Sequence, residues 1–354
     1  MRILTINPGS TSTKMAVYDD EEPILTHTIS HDQQSLEDCK TVIGQKGLRK
    51  NGIESILEKA GIKINSIDAV GGRGGLVKPI ESGTYLVNEA MIEDLNSTQA
   101  SIHSSSLGAV ISLEIAEEAG CKAYVVDPVV VDEMDRLAKL TGVPGIERIS
   151  IFHALNQKAI AKKFCKNTGK IYENSRFVVA HLGGGVTVGA HRYGRVIDVN
   201  DALSGEGSFT PERSGSVPAS AIINMCFSGE YTKQEMERKI VGKGGVQGYL
   251  GTNDMKKVEK MIADGDEFAA LVLDSMAYQV SKEIGAMCAV LEGRVDAILL
   301  TGGLARSGRF TGSVKQRVDK LADVHVFPGE DEMLALMQGV SRVLKGEERL
   351  MVYE

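Results

Sequence analysis

Short apolar runs alternate with longer amphipathic segments along the chain, a pattern that predicts strands followed by helices. The clearest helix candidates are 104–119, 266–292 and 333–345. Possible caps at Ser104 to Ser106 begin the first of them, and Gly293 ends the second. This order of elements is typical of the α/β class, in which helices cover mixed sheets.

The chain contains one plan twice. The segment 2–18 resembles 176–192 at a shift of 174 residues, and each half predicts a β-hairpin whose turn is built from small residues. The segment 68–76 then resembles 296–304, and 123–134 resembles 324–333. Because the three matches keep one order, we predict a duplicated domain.

The repeat predicts two domains with a ligand held in the cleft between them. We expect the first domain to cover 1–150 and the second 151–334. A last helix, 335–354, is expected to pack back on the first domain.

Composition narrows the range of functions. The 354 residues carry a net charge of −7, which gives no support for nucleic-acid binding. No apolar run approaches the roughly 18 residues of a membrane span, and the N-terminus turns polar too early for a signal peptide. The five cysteines include no C-x-x-C pair, so we expect reduced thiols and a cytoplasmic protein without a membrane or nucleic-acid partner.

Glycine-rich turns are the first candidates for ligand binding, since backbone N–H groups without side chains in the way can hold phosphate. Three such turns occur, at 7–13, 181–185 and 301–303. Each could by itself be an ordinary connection, but two equivalent turns in a duplicated domain favour a ligand. Neither a Walker A motif nor a dinucleotide-binding fingerprint is present, which disfavours those nucleotide-binding classes.

Polar residues embedded among apolar or small neighbours are the next candidates: Arg73, His103, Asp127, His153, His181 and Arg213. Each also has a structural interpretation, such as an ion pair, a helix cap, a turn or a solvated loop. No metal-binding cluster is visible. A hydrated Mg²⁺ would need only one or two carboxylates, and Asp127, Glu330, Asp331 and Glu332 are available.

Taken together, these motifs resemble those of the acetate and butyrate kinases, and within that family most of all the butyrate kinases. The resemblance covers 1 to about 340 and rests on Asn7 to Lys14, Arg73-Gly-Gly75, Phe152-His153, His181 to Gly185 and Arg213-Ser-Gly215. The family belongs to the superfamily of acetate and sugar kinases, Hsp70 and actin. The resemblance therefore implies duplicated actin-like (ribonuclease H-like) domains and reversible in-line transfer, butanoate + ATP = butanoyl phosphate + ADP. It also implies Mg²⁺ as cofactor and a homodimer or higher homo-oligomer.

The resemblance also implies roles for individual residues. The catalytic set would be Arg73 and Arg213 on the carboxylate and the phosphoryl group, His153 as a hydrogen-bond donor and Asp127 near the metal. The acyl group would contact Gly75, His103 and Phe152. The nucleotide would contact Asn7, Ser10, Thr11, Lys14, His181, Gly183, Gly184, Gly185, Gly302, Gly303 and Ser307. Asn7 and Glu332 would hold the metal, with Glu330 and Asp331 as neighbouring alternatives.

Departures from the family pattern bear on the substrate. Acetate kinases have a valine where this chain has Gly75, and we expect its loss to enlarge the acyl pocket. Burial of two extra methylenes is worth roughly 0.8 kcal/mol each, which favours butyrate over acetate. Acetate kinases also have asparagine where this chain has Gly184, and threonine where Glu212 precedes Arg213.

Several alternatives remain open at this point. The substrate could be acetate, propionate or isobutyrate. A hydroxyl kinase on the same fold would use Asp127 as a base, whereas an actin- or Hsp70-like module would bind ATP without a small substrate. An oxidoreductase is disfavoured because its dinucleotide fingerprint is missing.

Overall fold

A computed structural model of the protein describes residues 1–97 and 104–354. Within these residues the chain divides into two compact units. The first unit comprises Met1–Val131 and Asp331–Glu354, and the second comprises Asp132–Glu330. The chain therefore passes from the first unit to the second after Val131 and returns after Glu330.

This division lies earlier in the chain than the boundary expected near residue 150, because polar contacts attach the intervening segment to the second unit. The Asp135 N–H donates to the carbonyl of Ile197 at 2.9 Å. Arg148 pairs with Asp198 at 2.8 Å. The pattern of hydrophobic residues, from which we predicted the boundary, does not reveal polar contacts of this kind.

The elements follow one another in three stretches. The first is β1 (Arg2–Pro8), β2 (Ser12–Asp19), β3 (Glu22–Ser30), α1 (Gln33–Asp38), α2 (Lys46–Lys59), β4 (Ala69–Gly72), β5 (Thr84–Leu86), α3 (Glu89–Leu95), α4 (Ser106–Ala119) and β6 (Lys122–Val126). The second is α5 (Arg136–Lys139), α6 (Ala154–Thr168), β7 (Arg176–Leu182), β8 (Val186–Arg192), β9 (Arg195–Val199), α7 (Ala219–Cys226), α8 (Lys233–Ile240), α9 (Gly245–Leu250), α10 (Met255–Ala263), α11 (Glu267–Val290), β10 (Ala297–Gly302), α12 (Gly308–Val318) and β11 (Val324–Pro328). The chain ends with α13 (Glu332–Leu344) and β12 (Leu350–Val352).

The two sheets repeat one topology. The first sheet has the strand order β12-β5-β6-β4-β1-β2-β3, and the second has β11-β10-β7-β8-β9. In the first sheet, β1, β2 and β3 form an antiparallel meander, and β4 and β6 continue the sheet from β1 in parallel. In the second sheet, β7, β8 and β9 form the meander, and β10 and β11 continue it from β7 in parallel. The predicted duplication is confirmed, since all three sequence matches fall on equivalent strands.

Helices cover both faces of the first sheet. Side chains alternate between the faces of a strand, so neighbouring residues show what lies on either side. A Cβ atom on Gly71 would meet Val340 of α13, whereas one on Gly72 would meet Gly108 of α4. The helices α13 and α4 therefore lie on opposite faces.

The second sheet is covered in the same way, as its two apolar clusters show. Ile298 and Leu300 of β10 belong to the core that includes α11 and α12. Ala297 and Leu299 belong to the core that includes Phe164 of α6. Both units are thus mixed sheets flanked by helices, as predicted.

The C-terminal segment differs from the expected single helix over 335–354. The helix ends at Leu344, and Leu350–Val352 forms the edge strand β12, parallel to β5. A three-residue strand is stable only through its partner, which a local pattern does not reveal. The helices predicted over 104–119, 266–292 and 333–345 are confirmed to within two residues at each end.

Two expectations from composition can be compared with the structure. All five cysteines are free thiols, as predicted. Among residues 1–97 and 104–354, no helix combines the length and apolar character needed to cross a membrane.

Helix α4 approaches β4 so closely that only glycine fits at the contact. A Cβ atom on Gly108 would lie 2.2 Å from the carbonyl oxygen of Arg73, and one on Gly72 would lie 2.4 Å from that of Gly108. Backbone atoms on both sides prevent a local adjustment. The contact places the first turn of α4 directly against the segment that carries Arg73.

We predict that Gly108→Ala lowers the free energy of unfolding by about 1–3 kcal/mol, because the added methyl group overpacks this contact. The matched control is Gly47→Ala in α2 of the same unit, where a Cβ atom would meet nothing within 4 Å. The control should leave stability unchanged or raise it by up to about 1 kcal/mol. Denaturant unfolding of both variants measures the difference, and equal midpoints would contradict the packing described here.

Candidate active site

Two parallel strands of the first sheet end at the same edge and bring two predicted site residues together. Asn7 lies near the end of β1, and Arg73 follows β4 directly. The Arg73 N–H continues the ladder by donating to the Ile6 carbonyl at 2.9 Å. The carboxyl ends of parallel strands are the usual position of ligand sites in α/β sheets.

Glu332, the first residue of α13, completes this group, which we call the Asn7–Arg73–Glu332 cluster. The Asn7 side-chain amide donates a short hydrogen bond to Glu332 Oε2. Arg73 Nη1 lies 3.4 Å from Glu332 Oε1 and 3.3 Å from Asn7 Oδ1. Because Asn7 and Glu332 are both buried, the carboxylate takes its hydrogen bonds and its counter-charge from within the cluster.

The structure distinguishes Glu330, Asp331 and Glu332, the three neighbouring acids that the sequence offered as alternative metal contacts. Glu332 contacts Asn7 and Arg73. Glu330 lies in the second unit, 3.3 Å from Nε2 of His181, and Asp331 is exposed. Of these three acids, only Glu332 is placed beside the other predicted metal-contacting residue, Asn7.

The turn of the first hairpin is held from behind by Arg49, which sequence analysis missed. Its guanidinium is fully buried and donates to the carbonyls of Ser10 and Ser12 at 3.1 and 2.9 Å. Burial lowers the pKa of Arg49 below its ordinary value. With its carbonyls held, the turn leaves Ser10 and Thr11 exposed, and Lys14 is exposed as well.

A signal for Arg49 is present in the sequence of α2. It stands four residues before Ile53 and eight before Leu57, on the stripe that is buried in the structure. A charged residue on an apolar stripe is expected to have a specific partner.

Asp127 follows β6 in the left-handed region, with φ of 39°. Its Oδ1 accepts hydrogen bonds from the Ser82 hydroxyl at 2.6 Å and from the Gly83 N–H at 2.9 Å. The next residue, Pro128, packs against Gly74 so tightly that a Cβ atom there would lie 2.4 Å away. Asp127 thus braces a loop next to the Arg73 segment.

The expectation that Gly75 enlarges a pocket is wrong. A Cβ atom on Gly75 would lie 2.5 Å from Ser106 and 2.7 Å from Leu95. Neighbouring groups therefore fill the volume that a valine side chain would need. The glycine therefore permits the close packing of α4 at this position.

In the second unit, His153 precedes α6 and stacks on His181 of β7. The ring centroids are 3.8 Å apart and the ring planes differ by 9°. The Nδ1 atom of His153 lies 3.0 Å from Thr187 Oγ1. His181 is buried between Asn156 Oδ1, 2.8 Å from its Nδ1, and Glu330.

Arg213 lies against the glycine turn of the second hairpin. A Cβ atom on Gly185 would come within 2.3 Å of its Nη1, and Thr210 holds the turn by donating to the Gly184 carbonyl at 2.8 Å. Burial lowers the pKa of Arg213, although the group stays cationic at neutral pH. Its buried Nε donates to no acceptor within the described residues.

The remaining predicted residues lie at the end of β10, just before α6 or α12, or outside the described residues. Gly302 has φ of 96°, and a Cβ atom there would lie 2.4 Å from the Leu182 carbonyl. Gly303 is exposed, and Ser307 caps α12 through its hydroxyl. Phe152 is only 1% exposed. His103 lies outside the described residues.

Solved structures with the same fold cover almost the whole chain. A Porphyromonas gingivalis acetate kinase matches with a TM-score of 0.79 at 20% identity, covering 97% of this chain and 99% of the other. A propionate kinase from Francisella tularensis subsp. tularensis SCHU S4 matches with a TM-score of 0.74 at 17% identity, covering 96% and 98%. A ROK hexokinase from Thermus thermophilus matches with a TM-score of 0.51 at 11% identity, covering 98% and 100%. The fold is therefore that of the two-domain acetate and sugar kinases.

The acetokinase family model matches residues 137–333, more than half of the chain. The chain belongs to the acetokinase family. It is an enzyme of that family, a carboxylate kinase.

We predict that Glu332→Gln lowers kcat on the order of 100-fold, since a neutral amide cannot hold Arg73 by charge. The matched control, Asp331→Asn, changes an exposed neighbour and should leave kcat within about 3-fold, as surface charges contribute little. Steady-state kinetics of both variants make the comparison. Similar losses in the two variants would contradict the placement of Glu332.

Proposed function

We propose that the protein phosphorylates a short-chain fatty carboxylate with ATP, that butanoate is its substrate, and that the transfer is direct and reversible: butanoate + ATP = butanoyl phosphate + ADP. Membership of the acetokinase family supports the carboxylate as acceptor. The observation that carries the proposal at the site is Arg213, a guanidinium that lies against the glycine turn at Gly185 and is desolvated by burial. A bound anionic group at that turn would neutralise this buried charge.

The chemistry asks for charge neutralisation rather than for a base. A fatty carboxylate is ionised at neutral pH and can attack a γ-phosphorus without losing a proton. The obstacle is that an anion must approach a polyanion. Fixed cations and hydrogen-bond donors lower that barrier by stabilising the charge on the transferring group.

The residues divide this work between them. Arg73 and Arg213 would neutralise the carboxylate and the transferring phosphoryl group, and His153 would donate a hydrogen bond to that group. The turn from His181 to Gly185 would place backbone N–H groups at the phosphates. Gly303 and Ser307 would flank the adenosine.

The donor set is compatible with a magnesium ion bound mainly by water and phosphate. Asn7 and Glu332 bring an amide and a carboxylate to one place, with the amide nitrogen of Asn7 on the carboxylate and its oxygen toward Arg73. Mg²⁺ commonly takes one or two carboxylates together with substrate phosphates. Within the described residues no group of three or more His, Cys, Asp or Glu side chains could form a protein cage. When bound, the ion would neutralise phosphate charge, and Asn7 and Glu332 would orient it.

The geometry of Asp127 disfavours the hydroxyl-kinase alternative. That enzyme would need the carboxylate to accept a proton from its substrate. Here Asp127 Oδ1 accepts two hydrogen bonds that brace the loop at Ser82 and Gly83. We therefore assign Asp127 an orienting role.

The choice of butanoate has narrower support. It rests on the motifs Arg73-Gly-Gly75 and His181 to Gly185, which resemble those of butyrate kinases. Gly75 contributes no extra volume of its own, so its packing does not add to this support. Acetate and propionate stay alternatives, since kinases for both acids share the fold.

A hydroxylamine-trapping assay tests the proposal, with ATP and Mg²⁺ offered together with acetate, propionate, butyrate, isobutyrate or glycerol. We expect acyl hydroxamate with the acids, the highest kcat/KM with butyrate and none with glycerol. A higher value for acetate would overturn the butanoate assignment alone. Absence of hydroxamate with every acid would overturn the carboxylate kinase.

Two arginine variants show whether this activity belongs to the described site. Arg213→Ala should lower kcat on the order of 100-fold or more because it removes a fixed cation. Arg309→Ala removes an exposed arginine paired with Asp274 and should act like the wild type.

A further inference from the structure

A line of buried polar side chains runs behind His153 through the second unit. It consists of Thr187, Gln157, His191 and Tyr172, of which the first three are 0% exposed and the last 4%. Each contacts the next at hydrogen-bond distance. Buried polar groups are costly unless satisfied, so the direction of each bond can be worked out from the atoms that face one another.

The orientation of the Gln157 amide is fixed first. Its Nε2 lies 3.1 Å from the Thr187 carbonyl oxygen and 2.8 Å from Thr187 Oγ1. A carbonyl oxygen can only accept, so the amide atom facing it must be the nitrogen. The Gln157 oxygen therefore faces the other way, 2.9 Å from Nε2 of His191.

This orientation determines the protonation of His191. Because the Gln157 oxygen accepts, His191 Nε2 must carry a proton. Full burial, with nearby Lys158, lowers the pKa of His191 well below its ordinary value, and the ring is neutral. Its Nδ1 then accepts from the Tyr172 hydroxyl at 2.7 Å.

The same logic applies at the other end of the line. Thr187 Oγ1 accepts from Gln157, so its own proton needs an acceptor. Among the described residues, the acceptor within reach is Nδ1 of His153, at 3.0 Å. If Nδ1 accepts, the proton of a neutral His153 ring resides on Nε2.

We propose that Gln157 and Thr187 are positioning residues that hold His153 in the Nε2–H tautomer. The stack on His181 fixes the ring plane, and the Thr187 hydroxyl fixes which nitrogen donates. The use of this donor rests on the proposed function, in which Nε2–H bonds the transferring phosphoryl group. A misassigned tautomer would present a lone pair to an anion instead.

The tautomer can be read without reference to activity. In the full chain labelled with ¹⁵N-histidine, long-range proton–nitrogen spectra distinguish a protonated ring nitrogen from an unprotonated one, and His153→Gln identifies the signals. We expect protonated Nε2 and unprotonated Nδ1 for His153 in the wild type at neutral pH. Protonated Nδ1 with unprotonated Nε2 would overturn the proposal.

Variants at Thr187 connect the tautomer to catalysis. Thr187→Val keeps the volume and leaves Gln157 the backbone carbonyl as acceptor. We expect mixed tautomers and a fall in kcat on the order of 10-fold at unchanged KM for ATP, since complete loss of a donor costs about 100-fold or more. Thr187→Ser should restore the spectrum and kcat, and Ser281→Ala, which removes a buried hydroxyl on α11, should alter neither.

The outcomes separate this proposal from the proposed function. A wild-type spectrum in Thr187→Val, or failure of Thr187→Ser to restore the tautomer, contradicts the positioning role. If the wild type shows the expected tautomer but makes no acyl phosphate, the proposed function fails, whereas the positioning role of Gln157 and Thr187 is retained.

Discussion

The parallel pairing of β1 with β4 in the first unit, and of β7 with β10 in the second, is the constraint on which the placement of the predicted site residues in each unit depends. Parallel strands end at the same edge of a sheet, so Asn7 meets Arg73, and His181 lies beside Thr301. A slip of one residue would turn each side chain to the other face of its sheet. Residue 302 must also be a glycine, because the backbone of Leu182 fills the space that a Cβ atom would need.

On this frame, polar groups are held in pairs before any ligand binds. Arg73 is balanced by Glu332, and His181 is bracketed by Asn156 and Glu330. A buried cation without a partner would be costly, and preorganised donors need no rearrangement during the reaction. The protein has therefore already met the cost of assembling each group when a charged substrate arrives.

The repeat made the topology predictable because small-residue turns and apolar strands recur in one order, and equivalent strands confirmed it. The edge strand β12 escaped prediction because its stability comes from β5, which is distant in sequence. The prediction of a larger pocket at Gly75 was wrong because the sequence does not show which neighbours fill the space beside a glycine. The contacts of Glu332 with Asn7 and Arg73 likewise could not be predicted from the sequence, because these residues are distant along the chain.

Buried polar residues were the main omission, although their positions carried a signal. Arg49 and Gln157 lie on the apolar stripes of α2 and α6, where hydrophobic residues are expected. Thr187 coincides with Thr13 in the repeat, and in both units this threonine hydroxyl contacts a histidine ring. A polar residue on an apolar stripe, or one repeated at the same hairpin position, thus indicates a specific buried partner.

In the proposed reaction, an oxygen of the ionised carboxylate becomes bonded to the phosphorus that leaves ATP. Butanoate labelled with ¹⁸O in both oxygens, incubated with the enzyme, ATP and Mg²⁺, tests it by ³¹P NMR of the products. We expect ADP and an acyl phosphate whose phosphorus signal shows the upfield isotope shift of a bond to ¹⁸O. Unlabelled inorganic phosphate without acyl phosphate, or an acyl phosphate without ¹⁸O on phosphorus, would contradict it.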